Sequence, residues 1–247
     1  MCFSEQMSII AFSVGMIGSI LVYSMGKNYD KILGLWFMFV SCMQLVDFFL
    51  WRNQRPPLTT DVVVGDWKSP DQICNRTNYI TSITGIILNH LQPIMLGIII
   101  LCVNTDLSYQ DVKTILWILL IYLCLMVPYT WQCVVKTQCT FKNNNNHMDW
   151  KWNHMDYGKF VYIVFLITCF LLFYWFVPVY GMFFAFVTLY TFILSAIFYN
   201  KELGNMWCFF TIFLPILYYF FPPDVLYKIY SFMKNSFISI TKWMWYP

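Results

Sequence analysis

The chain has 247 residues, 60% of them hydrophobic and only 11% charged, with a formal net charge of +3. An ordinary soluble domain carries about a quarter charged residues, and a disordered chain is poor in aromatics, which make up 21% here. Both classes are excluded, and 15 Lys and Arg against 12 Asp and Glu build no basic field for nucleic acid.

A bilayer-crossing helix needs about 20 mostly apolar residues. Seven such stretches run over 8–25, 32–51, 80–103, 114–132, 160–178, 180–199 and 206–221. The expected fold is therefore all-α: an integral membrane bundle of seven transmembrane helices over 1–221, followed by an amphipathic interfacial helix over 222–247. The first stretch lacks a positive region ahead of it and a small-residue cleavage site, so it is expected as a retained helix, not a signal peptide. Its Ala11, Gly15 and Ser19 form small-xxx-small pairs that let helix backbones approach closely. Packing within the chain is the expected use, with a homo-oligomer as the alternative.

The second stretch carries Gln44, Asp47 and Trp51 on one helical face. The segment after it contains Cys74 and the glycosylation acceptor pattern Asn75-Arg76-Thr77. In the third stretch Ser82, Gly85, Asn89 and Gln92 share a face, with His90 beside Asn89 and Pro93 next. Polar groups inside a span are expensive and mark interior faces. Pro93 also leaves a backbone carbonyl one turn earlier without its helical donor. These two faces predict a polar cavity for a small molecule or ion, lined by Gln44, Asp47, Asn89, His90 and Gln92. An interhelical network that only holds the bundle together is the competing reading.

The fourth stretch ends at Trp131, Gln132 and Cys133. The segment beyond holds a seven-residue repeat, Asn146-His147-Met148-Asp149-Trp150 and Asn153-His154-Met155-Asp156-Tyr157. If helical, it would turn both His and both Asp one way, towards a metal. Duplication in an Asn-rich, low-complexity loop is the favoured reading. A short turn near Pro178 and Gly181 joins the fifth and sixth stretches as an antiparallel hairpin, and a six-span reading treats them as one broken unit. The seventh contains Trp207 and Cys208 and no Lys, which argues against a retinal Schiff base. In the tail, Leu226, Ile229, Met233, Phe237 and Ile240 recur at helical spacing, while Lys228, Lys234 and Lys242 keep it on the membrane surface.

With seven spans, Cys2, Cys74, Cys133, Cys139 and Cys208 all fall at the face where the chain begins, here the amino-terminal face. Cys42, Cys102, Cys124 and Cys169 lie within spans. Disulfides persist in oxidising compartments. The cysteines and the acceptor pattern together predict a lumenal or extracellular amino-terminus and a cytoplasmic carboxyl-terminus. Cys2, Trp51, Trp207 and Cys208 meet at that face as a rim. Cys2 and Cys208 have three open readings there: transition-metal ligands, a disulfide, or separate thiols. No phosphate-binding loop, dinucleotide fingerprint, zinc-protease motif or nucleophile elbow is present.

The opening Met1-Cys2-Phe3-Ser4 resembles a family of polytopic membrane proteins, found in bacteria and giant DNA viruses, that begin with the same four residues. Gln44, Asp47 and Trp51 are similar to its Gln, acidic residue and Trp, where bacterial members usually carry Glu at the acidic position. Asn89 with Gln92-Pro93, and Trp207-Cys208, also resemble family positions. The resemblance implies a seven-helix membrane protein and supplies no activity. The run Asn143–Asn146, with few Ala and Arg, suggests an AT-rich genome and agrees with a viral source, in a host or virion membrane. The expected function is binding or transport of a small molecule or ion through a site centred on Asp47. A metal-dependent intramembrane enzyme and a non-catalytic structural membrane protein are the alternatives.

Overall fold

A computed structural model of the chain describes residues 4–54, 76–136, 139–142, 148–150, 157–177 and 212–220, together with single helical positions at Gly181, Leu189, Tyr190, Ile193, Ile197 and Lys228. The elements are α1 (Glu5–Ser24), α2 (Asn28–Arg52), α3 (Arg76–Val103), α4 (Tyr109–Val135), β1 (Phe141–Lys142), β2 (Met148–Asp149), α5 (Gly158–Phe176) and α6 (Leu214–Phe220). Four of them, α1 to α4, are long and apolar enough to cross a membrane, and α5 adds a shorter apolar helix. The chain is thus a mostly helical, membrane-embedded protein. The expected seven crossings are not matched among the described residues, where only these four helices qualify. The surface helix expected over 222–247 lies outside the described residues except for Lys228, which is helical and exposed.

Local chemistry explains where the helices begin. The Ser4 hydroxyl accepts from the Met7 backbone N–H at 3.1 Å and opens α1. Ser108 and Asp111 form a reciprocal box at the start of α4: the Asp111 N–H donates to Ser108 Oγ at 3.2 Å, and the Ser108 N–H to Asp111 Oδ2 at 2.9 Å. At the tight turn between α1 and α2, Gly26 takes φ +90°, a left-handed conformation that favours glycine.

Small residues then decide the packing. A Cβ on Gly34 of α2 would lie 2.8 Å from both the Ser19 carbonyl oxygen and the Tyr23 backbone nitrogen of α1. The two helices therefore pack backbone to backbone. Gly18 is closed off in the same way by Ile216 and Pro215 of the α6 segment, and Gly15 by Ser41 and Ile212. The small stripe of the first helix is thus spent inside the chain, the expected intramolecular use.

At the centre, Trp36 of α2 makes edge-on ring contacts at 4.9 Å with both Phe37 and Phe173. Around it, Ile32, Leu33, Val40, Ile100, Leu119 and Leu172 are buried. Large aliphatics point outward instead on α1 (Ile10, Ile17, Ile20) and α4 (Leu116, Trp117, Ile121). Lipid, not water, suits such a surface. α2 is the most enclosed of the four long helices and α4 the least.

Direction follows from contacts at helix ends. Glu5 at the start of α1 pairs with Arg52 at the end of α2 at 3.9 Å. At the opposite end, the Asn104 amide donates to the Phe176 carbonyl at 3.3 Å, and the Tyr218 hydroxyl to Asp30 at 2.7 Å. So α5 and α6 both finish where α2 begins.

One element departs from the all-helical expectation. β1 and β2 pair antiparallel, Phe141 opposite Asp149 and Lys142 opposite Met148. The first copy of the His-Met-Asp repeat is therefore extended at Met148–Asp149, and a helical metal-binding face cannot form there. The second copy lies outside the described residues, apart from Tyr157.

Candidate functional site

The polar seam between α2 and α3 runs from the amino-terminal face into the bundle. At its mouth, Asn78 of α3 binds Thr140 from both sides: its amide donates to the Thr140 carbonyl at 2.9 Å, and its oxygen accepts the Thr140 N–H at 3.0 Å. The same amide reaches the Asn53 carbonyl at 3.2 Å. Ser82, one turn deeper, shares a 2.8 Å hydrogen bond with the Thr140 hydroxyl. From the end of α2, Gln54 donates to the Thr140 carbonyl at 3.0 Å and accepts the Lys142 N–H at 2.9 Å. The β-hairpin is thereby seated on the helix ends.

Beneath this mouth lie Asp47 and Gln44, both fully buried on α2. Trp150, just beyond β2, is almost fully buried and lies near the Asp47 carboxylate. Trp51, one turn from Asp47 towards the mouth, is half-buried and packs against the main core. The polar face expected on α2 is therefore buried, with the hairpin's Trp150 near Asp47.

The α3 residues sit deeper. Asn89 and Gln92 are buried, and the Gln92 carbonyl accepts the Trp36 indole N–H at 3.2 Å. Antiparallel pairing that joins Asn53 to Asn78 and Trp36 to Gln92 sets Asp47 about level with Ser82. His90 is eight residues further along α3, roughly 12 Å at 1.5 Å per residue. His90 also faces another helix: its Nδ1 is 2.8 Å from Thr130 Oγ1, and its ring lies 5.6 Å from Tyr129. The His90 carbonyl accepts the Tyr122 hydroxyl at 2.8 Å. The residues expected to line one cavity thus fall into two groups at different depths. Asp47 and Gln44 form an upper level under the hairpin; His90, Thr130 and Tyr129 form a lower one between α3 and α4.

Pro93 accounts for part of the lower level. It lacks the N–H that would reach the Asn89 carbonyl one turn earlier, and the nearby carbonyls of His90 and Gln92 accept donors from α4 and α2. On the outer side of Tyr129, an open groove of about 290 Å³ separates α4 from α5, lined by Leu125, Met126, Gln132, Phe160 and Val164.

The rim expected from sequence is only partly described. Cys2, Trp207 and Cys208 lie outside the described residues. Trp131 points outward, whereas Cys133 is a buried free thiol. Cys139 is disulfide-bonded. Among the described residues, no three His, Cys, Asp or Glu side chains gather as a metal site.

Sequence reasoning passed over Thr140, Met148 and Trp150. Their signal was a large aromatic and a Met, both now buried, within an Asn-rich polar segment. No family model, curated protein or solved structure matches the chain.

Proposed function

We propose that the protein is a seven-span membrane protein that binds, and passes, a small molecule or ion through the site at Asp47. The observation that carries this reading is the placement of a carboxylate and a carboxamide, Asp47 and Gln44, fully buried in the most enclosed helix of an apolar bundle. Ionisable groups at such depth are costly and are retained at sites of binding or transfer. The seam of Asn78, Ser82 and Thr140 above them offers a polar route from the amino-terminal face.

The seven-crossing count draws support from α6. α5 ends beside Asn104, at the face opposite the amino-terminus. The α6 segment runs parallel to α1, with Ile212 against Gly15, Ile216 against Gly18 and Tyr218 reaching Asp30 at that same opposite face. α6 thus runs towards the face where α5 also ends, the direction that a seventh span would take. The disulfide at Cys139 favours an oxidising compartment at the amino-terminal face, in line with a lumenal or extracellular amino-terminus. The resemblance to the Met-Cys-Phe-Ser membrane family includes Gln44, Asp47 and Trp51 beside its opening residues, two of them in this site.

Flux into proteoliposomes tests the reading. A panel of monovalent and divalent cations and small amines is offered to wild type and Asp47→Asn. Loss of flux in a variant that keeps its thermal unfolding profile supports it. Equal flux removes the acid from the mechanism.

A further inference from the structure

The groove between α4 and α5 changes polarity along the membrane normal. α4 starts just after Thr105, which bonds Asn28 at the head of α2 at 3.3 Å, so α4 rises towards the amino-terminal face. α5 descends from that face to the opposite one. On both helices the lining residue nearest the amino-terminal face is polar: Gln132 on α4 and Tyr157 at the head of α5. Deeper, the walls are Leu125 of α4 and Phe160 and Val164 of α5. From Gln132 to Leu125, and from Tyr157 to Val164, each wall descends about 10 Å at 1.5 Å per residue.

The polar end sits at the level of lipid headgroups. α4 has 27 residues, so at about 40 Å it overruns a hydrocarbon core of about 30 Å. Trp131 and Tyr157 are exposed at this end, 69% and 78%, as aromatic side chains are at a membrane–water boundary. Lys136 follows one turn above Gln132 on the same side of α4. Its backbone N–H donates to the Gln132 carbonyl at 3.0 Å, and its side chain is exposed.

We infer that this groove is a phospholipid site: one acyl chain lies against Leu125, Phe160 and Val164, and the phosphate is held at Lys136 and Gln132. The site goes beyond the reading of Asp47 and does not depend on it. Polarity selects this occupant over a second copy of the chain. A partner helix would offer an apolar face along about 30 Å of hydrocarbon. The groove is apolar for only about two helical turns and ends on an amide, a phenol and a cation. The ammonium complements a phosphate, and no acidic side chain lines the groove among the described residues. Entering the groove gains the acyl chain little hydrophobic energy, because hydrocarbon surrounds it before and after. Bonds to the phosphate therefore carry the retention, and the groove fixes where the lipid sits.

The test is native mass spectrometry of the full chain in detergent, titrated with dioleoyl phosphatidylglycerol or with dioleoylglycerol, which lacks the phosphate. Wild type should keep one phosphatidylglycerol under collisional activation that strips further copies, and should keep dioleoylglycerol at least tenfold less. Leu125→Trp and Val164→Trp fill the groove from opposite walls, and each should cut the one-lipid population at least tenfold. Leu125 is 43% exposed, so its replacement leaves the packed core alone. Lys136→Gln should cut the population about fivefold, the worth of one exposed charge pair. Leu116→Trp, at an exposed position of α4 outside the groove, should leave it unchanged.

Adducts equal in wild type and both groove variants mean annular lipid only and overturn the site. Equal retention of the two lipids overturns phosphate recognition and with it the assignment. None of these measurements involves Asp47, so failure here leaves the flux assay to stand or fall separately.

Discussion

α2 carries two buried aspartates, one near each end, and they are held in opposite ways. Asp30 sits in the first turn, where its Oδ2 accepts the Lys27 backbone N–H at 3.3 Å and its Oδ1 accepts the Tyr218 hydroxyl at 2.7 Å. Both donors belong to the helical framework, and the carboxylate lies at the positive end of the helix dipole. Asp47 lies in the interior of the helix, where neighbouring backbone N–H groups are already engaged, and Trp150, the aromatic near it, comes from a loop. The same residue type is tied into the helical framework at one end and sits under a loop segment at the other. The difference lies in where each acid stands on the helix, at a free first turn or within the closed ladder.

This contrast can be broken or sharpened by substitution. The largest expected effect is functional: Asp47→Asn should reduce flux by tenfold or more with little change in thermal unfolding. A drop in stability matching that of an Asp30 variant would make the two acids equivalent and end the distinction. Next comes Tyr218→Phe, which removes a charge-assisted hydrogen bond from a buried carboxylate. It should cost about 1–3 kcal/mol, read as a lower midpoint of unfolding in detergent, with flux per folded molecule unchanged. Loss of flux at full stability would place the Asp30 end in the transport path.

Ser108→Ala removes half of the capping box on α4 and should cost about 1 kcal/mol by the same measurement. It shows what a purely local helix-end contact is worth beside the long-range Tyr218 bond. Smallest is Glu5→Gln, which breaks the 3.9 Å contact with Arg52 between two well-exposed side chains. Its effect should stay below about 1 kcal/mol and vanish with added salt. A larger loss would mean that the mouth around Arg52 is more tightly ordered than its exposure suggests.

Much of the bundle was legible because lipid imposes a simple rule. Every backbone polar group must be satisfied within the segment, so long apolar runs become helices. The stretches 8–25, 32–51, 80–103 and 114–132 recur as α1 to α4, each extended by a few residues through caps such as Ser4 and Ser108. The interior faces were legible for a related reason. Gln44, Asp47, Ser82, Asn89 and Gln92 are all buried, as polar residues in a span must be when the outer surface is lipid. Asp30 was passed over because it lies at a helix end, where an acid looks like an ordinary exposed boundary residue.

Periodicity settles which side of a helix faces inward and leaves open which neighbour it meets and at what depth. His90 beside Asn89 read as a partner for Asp47. Antiparallel pairing of α2 and α3 sets it eight residues deeper and gives it to Thr130 of α4. Nor did any local rule foretell that Met148 and Trp150 would leave a polar loop and become buried. Their burial depends on Asn78 and Gln54, some 60 to 90 residues earlier in the chain, presenting amides at the right height.

The sequence by itself thus determined the membrane class, the helices and their buried faces, because these follow from the cost of placing polar groups in hydrocarbon. Only the tertiary structure decided that the polar seam divides into two levels and that a hairpin is seated on the helix ends above the upper one. Depth and pairing come from contacts between distant segments, which no window of sequence contains.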